Sequence, residues 1–137
     1  MMLSGIVLSG GNAAWRGKEL PDGVLGGILT ANNIARLDLS GTEMVVLSAC
    51  QSGQGKATSE GLYGLQRAFK KAGVGTMVMA LWSVSDKVAT EFMTAFYEQL
   101  ASKQCKCNKR KAFENAKSII REKYPDPYYW AAFVMLD

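Results

Sequence analysis

Cys50 stands where an unbroken apolar run stops, a position from which a thiol can do chemistry. The stretch Glu43-Met44-Val45-Val46-Leu47-Ser48-Ala49-Cys50-Gln51-Ser52-Gly53 sets four apolar residues, two of them β-branched, ahead of small and polar ones. Such a run reads as a strand buried on both faces, the usual state of a strand in a parallel sheet. In open α/β sheets the site forms beyond the carboxyl ends of the strands, which is where Cys50 falls. Position alone leaves an inert buried cysteine and a reactive one equally open.

A second apolar run, residues 74–82 (VGTMVMALW), ends in Ser83-Val84-Ser85-Asp86. If the two strands are neighbours, a thiol and a carboxylate line one crevice. The plainer reading of Asp86 is an acid in the first turn of a helix, where the helix dipole favours it, and Glu60 admits the same reading. The general base is the conspicuous gap. The chain has no histidine, so neither a Cys–His nor a Ser–His pair can be assembled from these residues alone.

Other chemistries fit poorly. Gly53, Gly55, Gly61 and Gly64 do not form a phosphate-binding loop, so a nucleotide-binding module of flavodoxin type ranks last. Cys105 and Cys107 form a C-x-C pair without the two further ligands a structural zinc site needs, so no metal and no cofactor is expected. The net charge of +4 comes mainly from Lys103, Lys106, Lys109, Arg110 and Lys111. No aromatic residue interrupts that cluster to stack on bases. A solvated loop leading into a helix is therefore preferred to a nucleic-acid patch.

At 137 residues, with 48% hydrophobic and 20% charged, the chain reads as one globular domain with a sizeable core. It has no apolar run of membrane-spanning length and no basic segment ahead of its first apolar stretch, so neither a membrane nor a signal peptide is expected. Cysteine usage fits a reducing, cytoplasmic compartment.

These residues must be positioned by a regular alternation of elements. A short strand at residues 5–8 precedes a long polar, glycine-rich loop over residues 12–27. Thr30 caps a short helix over residues 31–36. Ser59 caps a helix over residues 60–72 with Leu62, Leu65, Phe69 and Ala72 on one stripe, Lys70 and Lys71 in its last turn and Gly73 as its C-cap. Ser83 or Ser85 caps the next helix, which buries Val88, Phe92, Ala95, Phe96 and Leu100 and runs to about residue 101. Asn108 starts another, with Ala112, Phe113, Ala116, Ile119 and Ile120 inward, and Pro125 and Pro127 stop it. Residues 129–136 read as a last strand. This order predicts an α/β fold with a mostly parallel sheet and helices on both faces.

Several of these blocks resemble CHAT domains, caspase-like cysteine peptidase domains often joined to tetratricopeptide repeats. The resemblance begins with Ser4-Gly5-Ile6-Val7-Leu8-Ser9-Gly10 and Gly27-Ile28-Leu29-Thr30-Ala31, and centres on Leu47-Ser48-Ala49-Cys50-Gln51-Ser52-Gly53-Gln54-Gly55, which looks like the nucleophile segment. It extends through residues 60–69, Ala72-Gly73, Leu81-Trp82-Ser83-Val84-Ser85-Asp86 and Tyr128-Tyr129-Trp130-Ala131-Ala132-Phe133-Val134, and so covers nearly the whole chain.

The resemblance implies a caspase-like three-layer sandwich with a mainly parallel central sheet, and a Cys–His dyad in which Cys50 is the nucleophile. It implies an oxyanion hole from the Cys50 N–H and a glycine beside the histidine. Separases carry a block similar to residues 81–86, whose aspartate helps recognise a basic residue before the cut. By that similarity Asp86 is the S1 candidate, with Ser48, Trp82 and Ser83 as further substrate-binding candidates.

The departure is the His-Gly strand, which these 137 residues lack. The reading is thus a fragment, residues 1–137 of a CHAT-like domain shortened at its N-terminus. Such a fragment is expected to be inactive alone, and the alternative is a non-catalytic interaction domain. The expected partners are a protein or peptide substrate, upstream tetratricopeptide repeats, and a second copy of the chain across a sheet edge left open.

Overall fold

A computed structural model of the chain describes residues 5–9, 11–12, 16–19, 26–47, 59–103 and 108–137, with backbone alone at residues 59–62. Its described residues form a mixed α/β structure of two small sheets and five helices. The chain divides into two compact units, Met1–Glu43 with Gly55–Gly75 and Met44–Gln54 with Thr76–Asp137.

In the first unit, β1 (Gly5–Val7) pairs antiparallel with β2 (Ile28–Thr30), Ile6 opposite Leu29. The strand at β1 was expected, and its partner was not. Thr30 then caps α1 (Ala31–Ile34), its hydroxyl accepting from the Asn33 N–H. The cap is as the sequence predicts, but the helix stops two residues earlier than expected. Ala31 and Ile34 are buried, and α1 packs against α2 (Ser59–Lys71).

Helix α2 begins at Ser59, the residue expected to cap it, and ends as its sequence predicts. The Val74 N–H donates to the Phe69 carbonyl and the Gly73 N–H to the Lys70 carbonyl, the paired bonds of a Schellman ending. This ending needs a left-handed residue, and Gly73 has φ +101°. A Cβ there would also lie 2.9 Å from the Ser40 Cα. Residues 39–42 close on α2, the Leu39 N–H donating to the Ala72 carbonyl at 2.7 Å.

The second unit holds a three-stranded sheet in the order β3–β4–β5. Strands β3 (Met44–Leu47) and β4 (Thr76–Ala80) are parallel neighbours, with Leu47 opposite Met79. Met77, Val78 and Met79 are all buried, so both faces of β4 are out of water, as its unbroken apolar run requires. The third strand, β5 (Phe133–Leu136), is antiparallel to β4, Met135 opposite Val78. The described sheet is therefore mixed, one pairing parallel and one antiparallel, where a mostly parallel sheet was expected.

Helices α3 (Asp86–Ala101) and α4 (Lys109–Lys123) pack against each other and build the core of this unit. Ser85 caps α3 and Asn108 caps α4, each accepting from the backbone N–H three residues on. The inward stripes hold Val88, Phe92, Ala95 and Phe96 on α3 and Ala112, Phe113, Ala116 and Ile120 on α4. Phe92 stacks on Phe133 of β5, centroids 3.9 Å apart and planes 2° apart, and meets Phe113 edge-on at 5.6 Å. Leu100 packs against this cluster half-buried. Ile119, expected inward, is 43% exposed, because it lies at the margin of the arc that Phe113, Ala116 and Ile120 define.

Residues 129–136 are not one strand. Asp126 caps a single helical turn, α5 (Pro127–Trp130), with Pro127 in its first turn, and the strand starts only at Phe133. Asp followed by Pro is a helix-start signal, because proline lacks an N–H that the first turn does not use. That signal outweighs the strand propensity of Tyr128-Tyr129-Trp130.

Candidate functional site

Because β3 and β4 are parallel and adjacent, their carboxyl ends leave the sheet at the same edge. The neighbour relation that the site required is thus present. The chain leaves β3 at Leu47 directly into Ser48 and Cys50, and both of these, with residues 51–58, lie outside the described residues. Cys105 and Cys107 lie outside them as well.

The segment after β4 is described throughout, and each of its residues has its own anchor. The Leu81 N–H continues the ladder by donating to the Ala132 carbonyl at 2.8 Å. The Trp82 indole Nε1–H donates to the Tyr128 carbonyl at 2.8 Å. The Ser83 carbonyl accepts from the Tyr128 hydroxyl at 2.6 Å. Val84 is buried in the α3–α4 core. Ser85 caps α3 through its hydroxyl, which accepts from the Val88 N–H at 3.4 Å.

Asp86 follows as the first residue of α3 and is exposed. This is the first-turn position that favours an anion on dipole grounds alone. Leu81, Trp82 and Ser83, just ahead of Asp86 in sequence, are exposed, as is Tyr128, to which Trp82 and Ser83 are hydrogen-bonded. The described part of the site is therefore an apolar, largely aromatic shelf with one carboxylate.

Tyr128 is the residue the sequence reading passed over. It stands just ahead of the strand expected over residues 129–136. The Asp126-Pro127 signal ahead of it would have set it on a helical turn. Behind it, Lys117 and Arg121 lie over the Trp130 ring at 5.7 and 5.2 Å, and the Trp130 indole donates to the Pro125 carbonyl. These contacts tie α5 to α4.

Among the described residues no three His, Cys, Asp or Glu side chains gather to hold a metal ion. No helix among them is long and apolar enough to cross a membrane. Of the basic cluster, Arg110 pairs with Asp137.

The described residues thus give a mixed α/β structure in which Cys50 follows one strand in sequence and Asp86 follows its parallel neighbour. The chain belongs to the CHAT domain family, whose family model matches residues 2–137. Among curated proteins it is similar to tetratricopeptide repeat protein 28 of the mouse, Mus musculus, at 33% identity over 111 residues. It is 29% identical over 111 residues to the human protein of the same name. Each match spans 80% of this chain and only 4% of the relative. No solved structure matches the chain.

Proposed function

We propose that residues 1–137 form one CHAT domain of caspase-like three-layer architecture whose site is that of a cysteine endopeptidase, with Cys50 as nucleophile. Membership of the family over the whole chain, together with the parallel adjacency of β3 and β4, supports this reading. In the reaction the Cys50 thiolate attacks the peptide carbonyl, a carbon–sulfur bond forms, and the amine leaves with a proton from a histidine. Water then hydrolyses the thioester. Backbone N–H donors at the oxyanion each contribute about 3 kcal/mol. Asp86 meets a basic residue before the cut, and Ser48, Trp82 and Ser83 flank it.

The 137 residues contain no histidine. On their own they lack the base and are expected not to cleave peptides, the loss amounting to several powers of ten. The same absence favours a second reading, a non-catalytic domain that uses the crevice to bind a partner segment. On either reading the setting is cytoplasmic. The partners are a protein or peptide, tetratricopeptide repeats in the same polypeptide, and a second copy across β3, whose outer side has no partner strand among the described residues.

Mass-mapped alkylation tests the peptidase reading. A peptidyl chloromethyl ketone ending in arginine is expected to modify Cys50 of the folded chain faster than Cys105 and Cys107, and faster than Cys50 of the denatured chain. Cleavage of peptides is expected only when a histidine-bearing segment completes the site, and Cys50→Ala is expected to abolish it. Equal alkylation of all three cysteines, folded or denatured, overturns the nucleophile assignment and leaves the binding domain.

A further inference from the structure

We propose that Tyr128 is a positioning residue for the segment 81–86, holding the aromatic shelf and Asp86 in the geometry that reads a basic side chain. This rests on the reading of Asp86 proposed above and adds a residue that acts through it. Tyr128 works at two points on one segment: its carbonyl takes the Trp82 indole proton, and its hydroxyl donates to the Ser83 carbonyl. Each bond runs from a side-chain donor to a backbone carbonyl of the other segment, and the Trp82 and Tyr128 ring centroids lie 6.4 Å apart. Neither is part of the sheet ladder or of a helix.

Both rings are exposed, Trp82 at 36% and Tyr128 at 52%, so burial of these side chains does little to retain the contact. What it does is immobilise the backbone between the end of β4 and the cap of α3. Asp86 follows three residues after Ser83, with Val84 locked in the core and Ser85 in its cap. A carboxylate presented by a backbone fixed this way avoids the backbone's share of the ordering entropy when a cation arrives.

The test uses two peptidyl chloromethyl ketones that differ only in ending on arginine or on citrulline, its uncharged isostere. In each, the Cys50 thiolate forms a thioether and chloride leaves, and mass mapping reads the rate at Cys50. The ratio of the two rates separates recognition of the positive charge from the reactivity of the thiol. Asp86→Asn is expected to bring the ratio near one. Tyr128→Phe, which keeps the ring and loses the hydroxyl, is expected to lower the ratio about threefold or more, since small misplacements are costly in such sites. Asn108→Ala, which removes a helix cap at the opposite end of α4 from α5, is expected to keep the wild-type ratio.

An unchanged ratio in Asp86→Asn overturns the reading of Asp86 and this proposal with it. A collapse in Asp86→Asn with no change in Tyr128→Phe leaves that reading standing and overturns the role of Tyr128 alone. An equal fall in Asn108→Ala assigns the effect to general loosening and also overturns it. Should Tyr128→Phe not fold, Trp82→Phe removes the other donor of the pair, and an unchanged ratio there overturns the proposal equally.

Discussion

Trp82 and Tyr128 meet across 46 residues of sequence: the Trp82 indole N–H donates to the Tyr128 carbonyl, and the Tyr128 hydroxyl donates to the carbonyl of Ser83, next to Trp82. The pair joins the exit of β4 to the turn that precedes β5. The short helix α5 contributes no buried residue of its own. It is held by this pair, by cation–π contacts from α4 and by the half-buried Tyr129 and Trp130, which pack against the core.

Because the Ser83 carbonyl is at an exposed residue, water can replace the phenol there. Tyr128→Phe is therefore expected to lower stability by about 0.5–1.5 kcal/mol, the range of a single net hydrogen bond. Urea unfolding with unchanged slope checks this. A loss of several kcal/mol would mean that the hydroxyl supports packing rather than the local segment.

Phe92 has no exposed surface and contacts Phe133, Phe113 and Phe96. Phe92→Ala removes the ring on which α3, α4 and β5 meet. The expected cost is about 3–5 kcal/mol. Ile119→Ala, at a residue the sequence reading placed inward, is expected to cost about 0.5 kcal/mol or less. Similar losses for the two would show that Ile119 is buried in solution.

Strand β5 has its outer edge guarded. The Lys117 ammonium donates to the Phe133 carbonyl at 3.1 Å and the Arg110 guanidinium to the Met135 carbonyl at 3.4 Å. These two carbonyls alternate with the ones that face β4, so both cations sit on the edge where another strand would pair. Charged side chains on an edge are a known guard against aggregation. Replacing both with methionine keeps the apolar stems and removes the donors. Association beyond that of the unsubstituted chain is the expected result in light scattering, and an unchanged association state would show that the edge is shielded by other means.

Two carboxylates titrate in favour of the folded state. The Glu91 carboxyl is held below its ordinary range mainly by its hydrogen bond to Lys123, at 2.9 Å, and Asp38 mainly by the Ser40 hydroxyl and then the Ser40 N–H. A carboxyl with a depressed folded-state pKa adds stability above its unfolded pKa. That contribution is lost as pH falls through the folded value. The chain should therefore lose stability on acidification through and below the ordinary carboxylate range. Asp38→Asn and Glu91→Gln should each flatten that slope, measured as urea midpoint against pH. An unchanged slope in both would place the acid sensitivity in other groups.

The residues themselves determine what depends on near neighbours in the chain. Thr30, Ser85 and Asn108 cap helices because a side-chain oxygen reaches the N–H three residues on. Gly73 ends α2 because it alone tolerates the φ the ending needs. The apolar run of β4 foretells a strand buried on both faces, and the stripes of α3 and α4 foretell their core sides. Cys50 and Asp86 stand out by their place at strand ends, and the family blocks around them are legible without coordinates.

Strand partnership is a different matter. The pairing of β1 with β2, the antiparallel sense of β5 and the Trp82–Tyr128 pair join residues 21 to 59 positions apart. Backbone hydrogen bonds across such gaps carry no residue code, and chain reversal between them depends on how the intervening helices pack. The tertiary structure alone decided that the carboxyl ends of β3 and β4 share an edge, and that a tyrosine far along the chain holds the segment carrying Asp86.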